Sequence, residues 1–116
     1  MMTDIVYKIV PETLWRQAKD TGVFEGADID RRDGYIHLST GAQARETARL
    51  HFAGITGLIL VAVNVLALGE ALVFEPSRGG DLFPHLYAPL SLKAVLWEMP
   101  LLIGADGQHA FPEKMP

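Results

Sequence analysis

Between Arg49 and Glu70 the chain carries no Asp, Glu, Lys or Arg, and inside that stretch LILVAV (58–63) is apolar at every position. A membrane span needs about 20 predominantly apolar residues, so the stretch is long enough to be one. Gly54, Thr56, Gly57 and Asn64 interrupt it, however, and break it into two apolar pieces. It reads as the end of a helix, a turn and a strand. A strand without polar alternation must be covered on both faces, so LILVAV belongs at the centre of a sheet with a layer on each side.

The remaining segments have to supply those layers. IVYKIV (5–10) is a β-branched and aromatic run that suits a first strand. Pro11 stops it, and Leu14, Trp15 and Ala18 then recur at helical spacing up to Gly22, a natural left-handed stop. The segment 24–34 carries Glu25, Asp28, Asp30, Arg31, Arg32 and Asp33 and reads as a solvated loop. GYIHLS (34–39) reads as a second strand, with Ile36 and Leu38 on one face and Tyr35, His37 and Ser39 on the other. Thr40 and Gln43 have capping-box spacing, and Ala44, Ala48 and Phe52 make the apolar stripe of the helix that follows. Further strands are expected at 71–74 and 93–98, separated by the Gly- and Pro-rich PSRGGDLFPHLYAPL, read as a loop or crossover. Trp15 and Trp97 are expected in the core.

Strands and helices do not alternate regularly, which argues against a parallel βαβ domain. The fold class expected is α+β: one domain over 1–116, its core at about 4–99 and a turn-like tail at 104–116. Its sheet is expected to be split and mixed or mainly antiparallel, with two or three short helices.

At 116 residues the chain is long enough to bury a core without cross-links. It has no cysteine, which excludes thiol catalysis, zinc ribbons and disulfide scaffolds. A net charge of −4 excludes general nucleic-acid binding, which needs a basic surface. The start MMTDIVYK lacks the basic and apolar regions of a signal peptide. The expectation is a cytoplasmic protein without a nucleic acid or a membrane as partner.

No phosphate-binding glycine loop, GxGxxG, HExxH or GxSxG occurs. Two polar constellations remain. Tyr35, His37 and Ser39 lie on a strand that feeds a helix, whose N-terminal N–H groups could hold an anion such as a pyrophosphate beside His37. Arg78, Asp81, His85 and Tyr87 form the second, in which extended backbone would put His85 and Tyr87 on one face. Aromatic rings beside imidazoles suit a flat ligand such as a nicotinamide or a base. Blander readings stand next to these: His37 as a satisfied strand residue, Tyr87 as packing, Arg78 with two glycines as a turn. A metal site of His37, His85 and Asp81 is a minor alternative, and no metal is expected. Glu75 is a possible general base. His51 and His109 are assigned no function.

In this order, the aromatic first strand, Trp15, GYIHLS, the 43–52 helix, LILVAV and FPHLYAPL resemble the domain of unknown function 952 family of small bacterial and plant proteins. The resemblance covers roughly 5–95, and IHLS and FPHLYAPL are its most specific parts. More distantly, HLS, a helix with a small-residue face and an apolar strand look like the NAD-binding half of RNA 2′-phosphotransferases. Those have the ADP-ribosyltransferase fold, a split and mainly antiparallel sheet with an NAD cleft. The resemblance implies that His37 and Ser39 line the nicotinamide or ribose side. Relatives usually carry a His in the first strand where this chain has Lys8. Their late catalytic Glu has no clear counterpart here, Glu98 being the nearest, and the RNA-binding lobe is missing.

The expected site is thus a cleft for NAD or a related nucleotide, lined by Lys8, His37, Ser39, His85 and Tyr87. His37 and His85 are its catalytic candidates, for an ADP-ribosyltransferase-like transferase or an NAD glycohydrolase. Two readings stay open beside it: a binding or interaction module that keeps the fold without catalysis, and a metal-dependent hydrolase. Oligomeric state is left open.

Overall fold

The computed structural model describes residues 4–113 and 115, except the side chain of Arg78. The chain opens with β1 (Ile5–Pro11), α1 (Glu12–Thr21), β2 (Val23–Phe24), α2 (Asp28–Asp33), β3 (Ile36–His37) and β4 (Ser39–Thr40). It continues through α3 (Gly41–His51), β5 (Leu58–Asn64), α4 (Val65–Leu68) and β6 (Leu72–Pro76). The last strands are β7 (Leu82–Leu86), β8 (Leu90–Ser91) and β9 (Val95–Leu101).

LILVAV is the buried heart of β5, which pairs antiparallel with β1 on one side and β9 on the other. With β4 these strands form a sheet ordered β4-β1-β5-β9. The run needs no polar alternation because each face of the sheet is covered. Ile59, Val61 and Val63 enter one core with Val6, Val10, Trp15, Ile36, Leu38 and Leu86. Leu58, Leu60 and Ala62 enter the other with Tyr7, Ile9, Ala48 and Leu101. Among the described residues, no helix is long and apolar enough to cross a membrane.

A second antiparallel sheet, β3-β7-β6, lies across the first core, and β2 pairs with β8 in a small ribbon. The split, antiparallel α+β architecture agrees with the expectation from sequence. Among the described residues there are four α-helices rather than two or three.

Three local readings change. The charged segment 24–34 is not a plain solvated loop. It contains α2, closed by Gly34 in the left-handed conformation (φ 87), and Asp30 within it is only 2% exposed. FPHLYAPL is not a mere crossover either, because it supplies β7, the middle strand of the second sheet. Pro84 is tolerated there because its carbonyl accepts Leu38 N–H (3.0 Å), so its missing donor falls on the side where β3 has ended. GYIHLS, finally, is not one strand. It breaks at Leu38, leaving β3 in the second sheet and β4 paired with β1 in the first.

Other details follow the sequence. Gly22 (φ 85) closes α1, its N–H donating to Ala18 O. Gln43 Oε1 accepts Thr40 N–H (3.0 Å) at the start of α3, as the capping spacing required. Gln43 Nε2 also donates to Leu82 O (2.8 Å), which ties the helix start to the first residue of β7. The described part of the tail folds back on the domain. Ile103 bridges His109, and Phe111 packs on the second core.

Candidate functional site

The second sheet has one face in the core, carrying Ile36, Leu72 and Leu86. The opposite face carries the chemistry. His37 on β3 stands directly across from His85 on β7, and the two imidazole centroids lie 5.8 Å apart. Tyr35 stacks on His85 (4.1 Å, 29°) and also touches His37 (4.7 Å). Its ring lies 5.2 Å from that of Tyr87. Residues about 50 positions apart in the chain therefore meet because β3 and β7 pair in this register. The sequence expectation that His85 and Tyr87 share a face holds in the structure.

Each histidine is fixed by carboxylates. His37 Nδ1 lies 2.6 Å from Asp30 Oδ1, and His37 Nε2 lies 2.9 Å from Asp33 Oδ2. Both acids come from α2. His85 Nδ1 donates to Glu75 Oε1 (2.8 Å) on β6, and the Tyr87 hydroxyl donates to the same oxygen (2.7 Å). These bonds, Tyr87's first and His85's next, hold the Glu75 carboxyl below its ordinary range. The same contact pushes the Tyr87 phenol up to about 12, so it stays a neutral donor at any ordinary pH. Asp33 is likewise held low, first by its hydrogen bond from Arg32 and then by the Arg32 and His37 charges.

Lys8 lies underneath this face. It shares the core-facing side of β1 with Val6 and Val10, where an unpaired ammonium would cost several kcal/mol. Its Nζ meets both oxygens of Asp30 (3.0 and 3.1 Å) and donates to His37 O (3.0 Å). Burial lowers the Lys8 ammonium, partly offset by the Asp30 charge. Burial alone would raise the Asp30 carboxyl. The His37 side chain, the Lys8 charge and the Ala27 and His37 backbone N–H groups together outweigh that, holding it far below its usual range.

The five residues expected to line one cleft thus separate into three settings. His37, His85 and Tyr87 converge. Lys8 supports them from below, through Asp30 and the His37 carbonyl. Ser39 is directed elsewhere: past the break at Leu38 its hydroxyl pairs with Thr47 of α3 (2.9 Å). An anion beside His37 would therefore face Asp30 and Asp33 rather than the free N–H groups of α3. Glu98 lies apart, accepting Trp15 Nε1–H (2.9 Å) and pairing with Lys19. Asp81 belongs to the β6–β7 turn, where its carbonyl accepts Ser77 N–H, and the Arg78 side chain lies outside the described residues.

Sequence reading missed Asp30 and Asp33 and left Glu75 without surroundings. The signal for Asp30 was present in Lys8: a lysine at a core-facing position of an apolar strand demands a buried carboxylate, and the charged 24–34 segment had to supply it. Among the described residues, no group of three or more His, Asp or Glu side chains has the geometry of a metal site. Two cavities lie away from the cluster. One, of about 220 Å³, is lined by Arg45, Arg49, His109 and Phe111, and the other, of about 150 Å³, runs beside α1 and Gly26.

Fold and site together define a small α+β protein whose split antiparallel sheet carries a histidine–tyrosine face backed by a buried Lys–Asp pair. Residues 9–98 match the family described as protein of unknown function (DUF952), and the chain belongs to that family. It is similar to protein CC0527 from Caulobacter crescentus. The crystal structure of CC0527 aligns with a TM-score of 0.87 at 48% identity, covering 91% of this chain and 93% of that one. Its solution NMR structure gives a TM-score of 0.82 at 50% identity, with 92% and 91% covered. No curated protein matches the chain.

Proposed function

We propose that the histidine–tyrosine face binds NAD or a related nucleotide through its nicotinamide–ribose end, on a fold of ADP-ribosyltransferase type. One observation carries this reading: His37 and His85 are set opposite each other on paired strands, with Tyr35 and Tyr87 packed around them. A flat ring gains contact area from the tyrosines, while the His37 ring nitrogens are held by Asp30 and Asp33 and His85 Nδ1 by Glu75. Ribose hydroxyls are donors, and the Glu75 and Asp33 carboxylates at the margin are acceptors.

A second reading has its own support. Lys8 is consumed by Asp30 and the His37 carbonyl, and Ser39 by Thr47, so two groups that the distant resemblance would bring to the ribose are occupied. That favours a binding module that keeps the fold without turnover.

Calorimetric titration with NAD and with ADP-ribose tests the binding itself. Saturable binding of NAD that His37→Ala weakens at least about tenfold supports the reading. No heat of binding at about 5 mM ligand, with wild type and His37→Ala alike, defeats it. Release of free nicotinamide during incubation would then separate an enzyme from a binding module.

A further inference from the structure

Charge at this face says more than its shape. Asp30 is neutralised by Lys8, and Asp33 is bonded to Arg32 Nε (3.1 Å). Glu75 differs: among the described residues no Lys or Arg pairs with it, and His85 Nδ1 donates a hydrogen bond to it. Its carboxylate is fixed by the hydroxyl of Tyr87, whose residue is 49% exposed and whose ring lies 5.2 Å from that of Tyr35. Aromatic faces present negative potential, and a carboxylate held beside them reinforces it. A cation gains from both, whereas an anion gains from neither.

We propose that the face formed by Tyr35, Tyr87 and Glu75 is a site for a flat organic cation, and that it selects a positively charged pyridinium ring over its neutral counterpart. This rests on the reading that the face is a ligand site, and it names what the site discriminates. The ring stacks against the tyrosines while its charge is met by Glu75, with Asp33 at the far side of His37. Phosphate is not required for binding here. A nucleotide carrying an oxidised, cationic nicotinamide binds better than the same nucleotide with the ring reduced and neutral.

The test uses the full chain and two small probes, 1-methylnicotinamide, which is a cation, and nicotinamide, which is neutral and nearly the same size. Affinities are read from aromatic NMR shifts of Tyr35 and Tyr87. The cation is expected to bind about tenfold tighter, as a cation–π contact reinforced by one carboxylate would give. Glu75→Gln should reduce that preference to about threefold or less. Tyr87→Phe, which keeps the ring and leaves the carboxylate held by His85 Nδ1, should retain it. Equal affinity for the two probes, a preference that stays near about tenfold in Glu75→Gln, or no binding of the cation at about 50 mM would each overturn the proposal. The two readings fail separately. Binding of 1-methylnicotinamide without binding of NAD defeats the nucleotide reading alone. Equal binding of oxidised and reduced NAD defeats charge selection alone.

Discussion

Lys8 and Asp30 are the residues on which the site rests, although both are buried beneath it. Asp30 accepts from Lys8, from the His37 ring and backbone, and from Ala27 N–H, so one carboxylate ties β1, α2 and β3 together. Removing one partner of such a buried pair typically costs about 3–5 kcal/mol, because the other charge is left uncompensated. The pair also fixes a pH dependence. The folded carboxyl sits below the value of an unfolded aspartate, about 3.9. Its contribution is therefore complete above about pH 5, and it is lost as pH falls through and below 4 toward the folded value. Asp30→Asn should lower the urea midpoint at pH 7 and flatten the decline between about pH 4 and pH 2. Urea melts across that range check it, and parallel pH profiles for wild type and variant would contradict it. At the same scale, the Tyr7 hydroxyl is buried without a hydrogen-bond partner among the described residues, and burial raises its phenol. It contributes through its ring, which packs on Trp97 (5.9 Å).

At the scale of elements, what was legible depended on whether the determining contact was local. The central strand was legible because six apolar residues in a row admit one placement, and the start of α3 because Thr40 and Gln43 are three apart. The short helix α2 was not, since its burial is dictated by Lys8, 22 positions earlier. Nor was β7, where Pro84 argues locally against a middle strand and only the early end of β3 makes it tolerable. Ser39 was misplaced for a related reason: strict alternation assumes one sheet, and the chain changes sheets at Leu38. Half of the site could therefore be read, the His-x-Tyr at the end of β7 and the His of β3. The carboxylates that orient them come from elements defined by tertiary contact. Gln43 offers a test of how those elements are joined, since its amide caps α3 and also holds Leu82 O. Gln43→Leu removes both bonds and should cost about 1 kcal/mol, a few degrees in Tm. It should also speed hydrogen exchange in β7 more than in β5. Equal effects on both strands would mean that the Leu82 contact adds nothing beyond the cap.

Over the whole molecule, the two sheets are held together by apolar contact more than by shared hydrogen bonds. β5 sends alternate side chains to two cores, and the first of these also takes Ile36, Leu38 and Leu86 from around the second sheet. A ligand face built on the second sheet keeps its geometry only while that shared core is intact. The arrangement implies that the sheets unfold as one unit and not as a stable layer carrying a loose one. Leu86, 1% exposed on the core side of β7, is the place to probe this, because its neighbour in sequence is His85. Leu86→Ala should cost about 2–5 kcal/mol, the range for truncating a buried leucine. The two tryptophans supply separate reporters: Trp15 sits in the first core and Trp97 packs on the second. If the sheets are one cooperative unit, fluorescence melts of Trp15→Phe and Trp97→Phe backgrounds shift together when Leu86→Ala is added, and both coincide with the loss of far-UV circular dichroism. A transition seen earlier by Trp15 than by Trp97 would show the second sheet opening on its own. The histidine–tyrosine face would then be formed only part of the time, and its apparent affinity for any ligand would be reduced by that fraction.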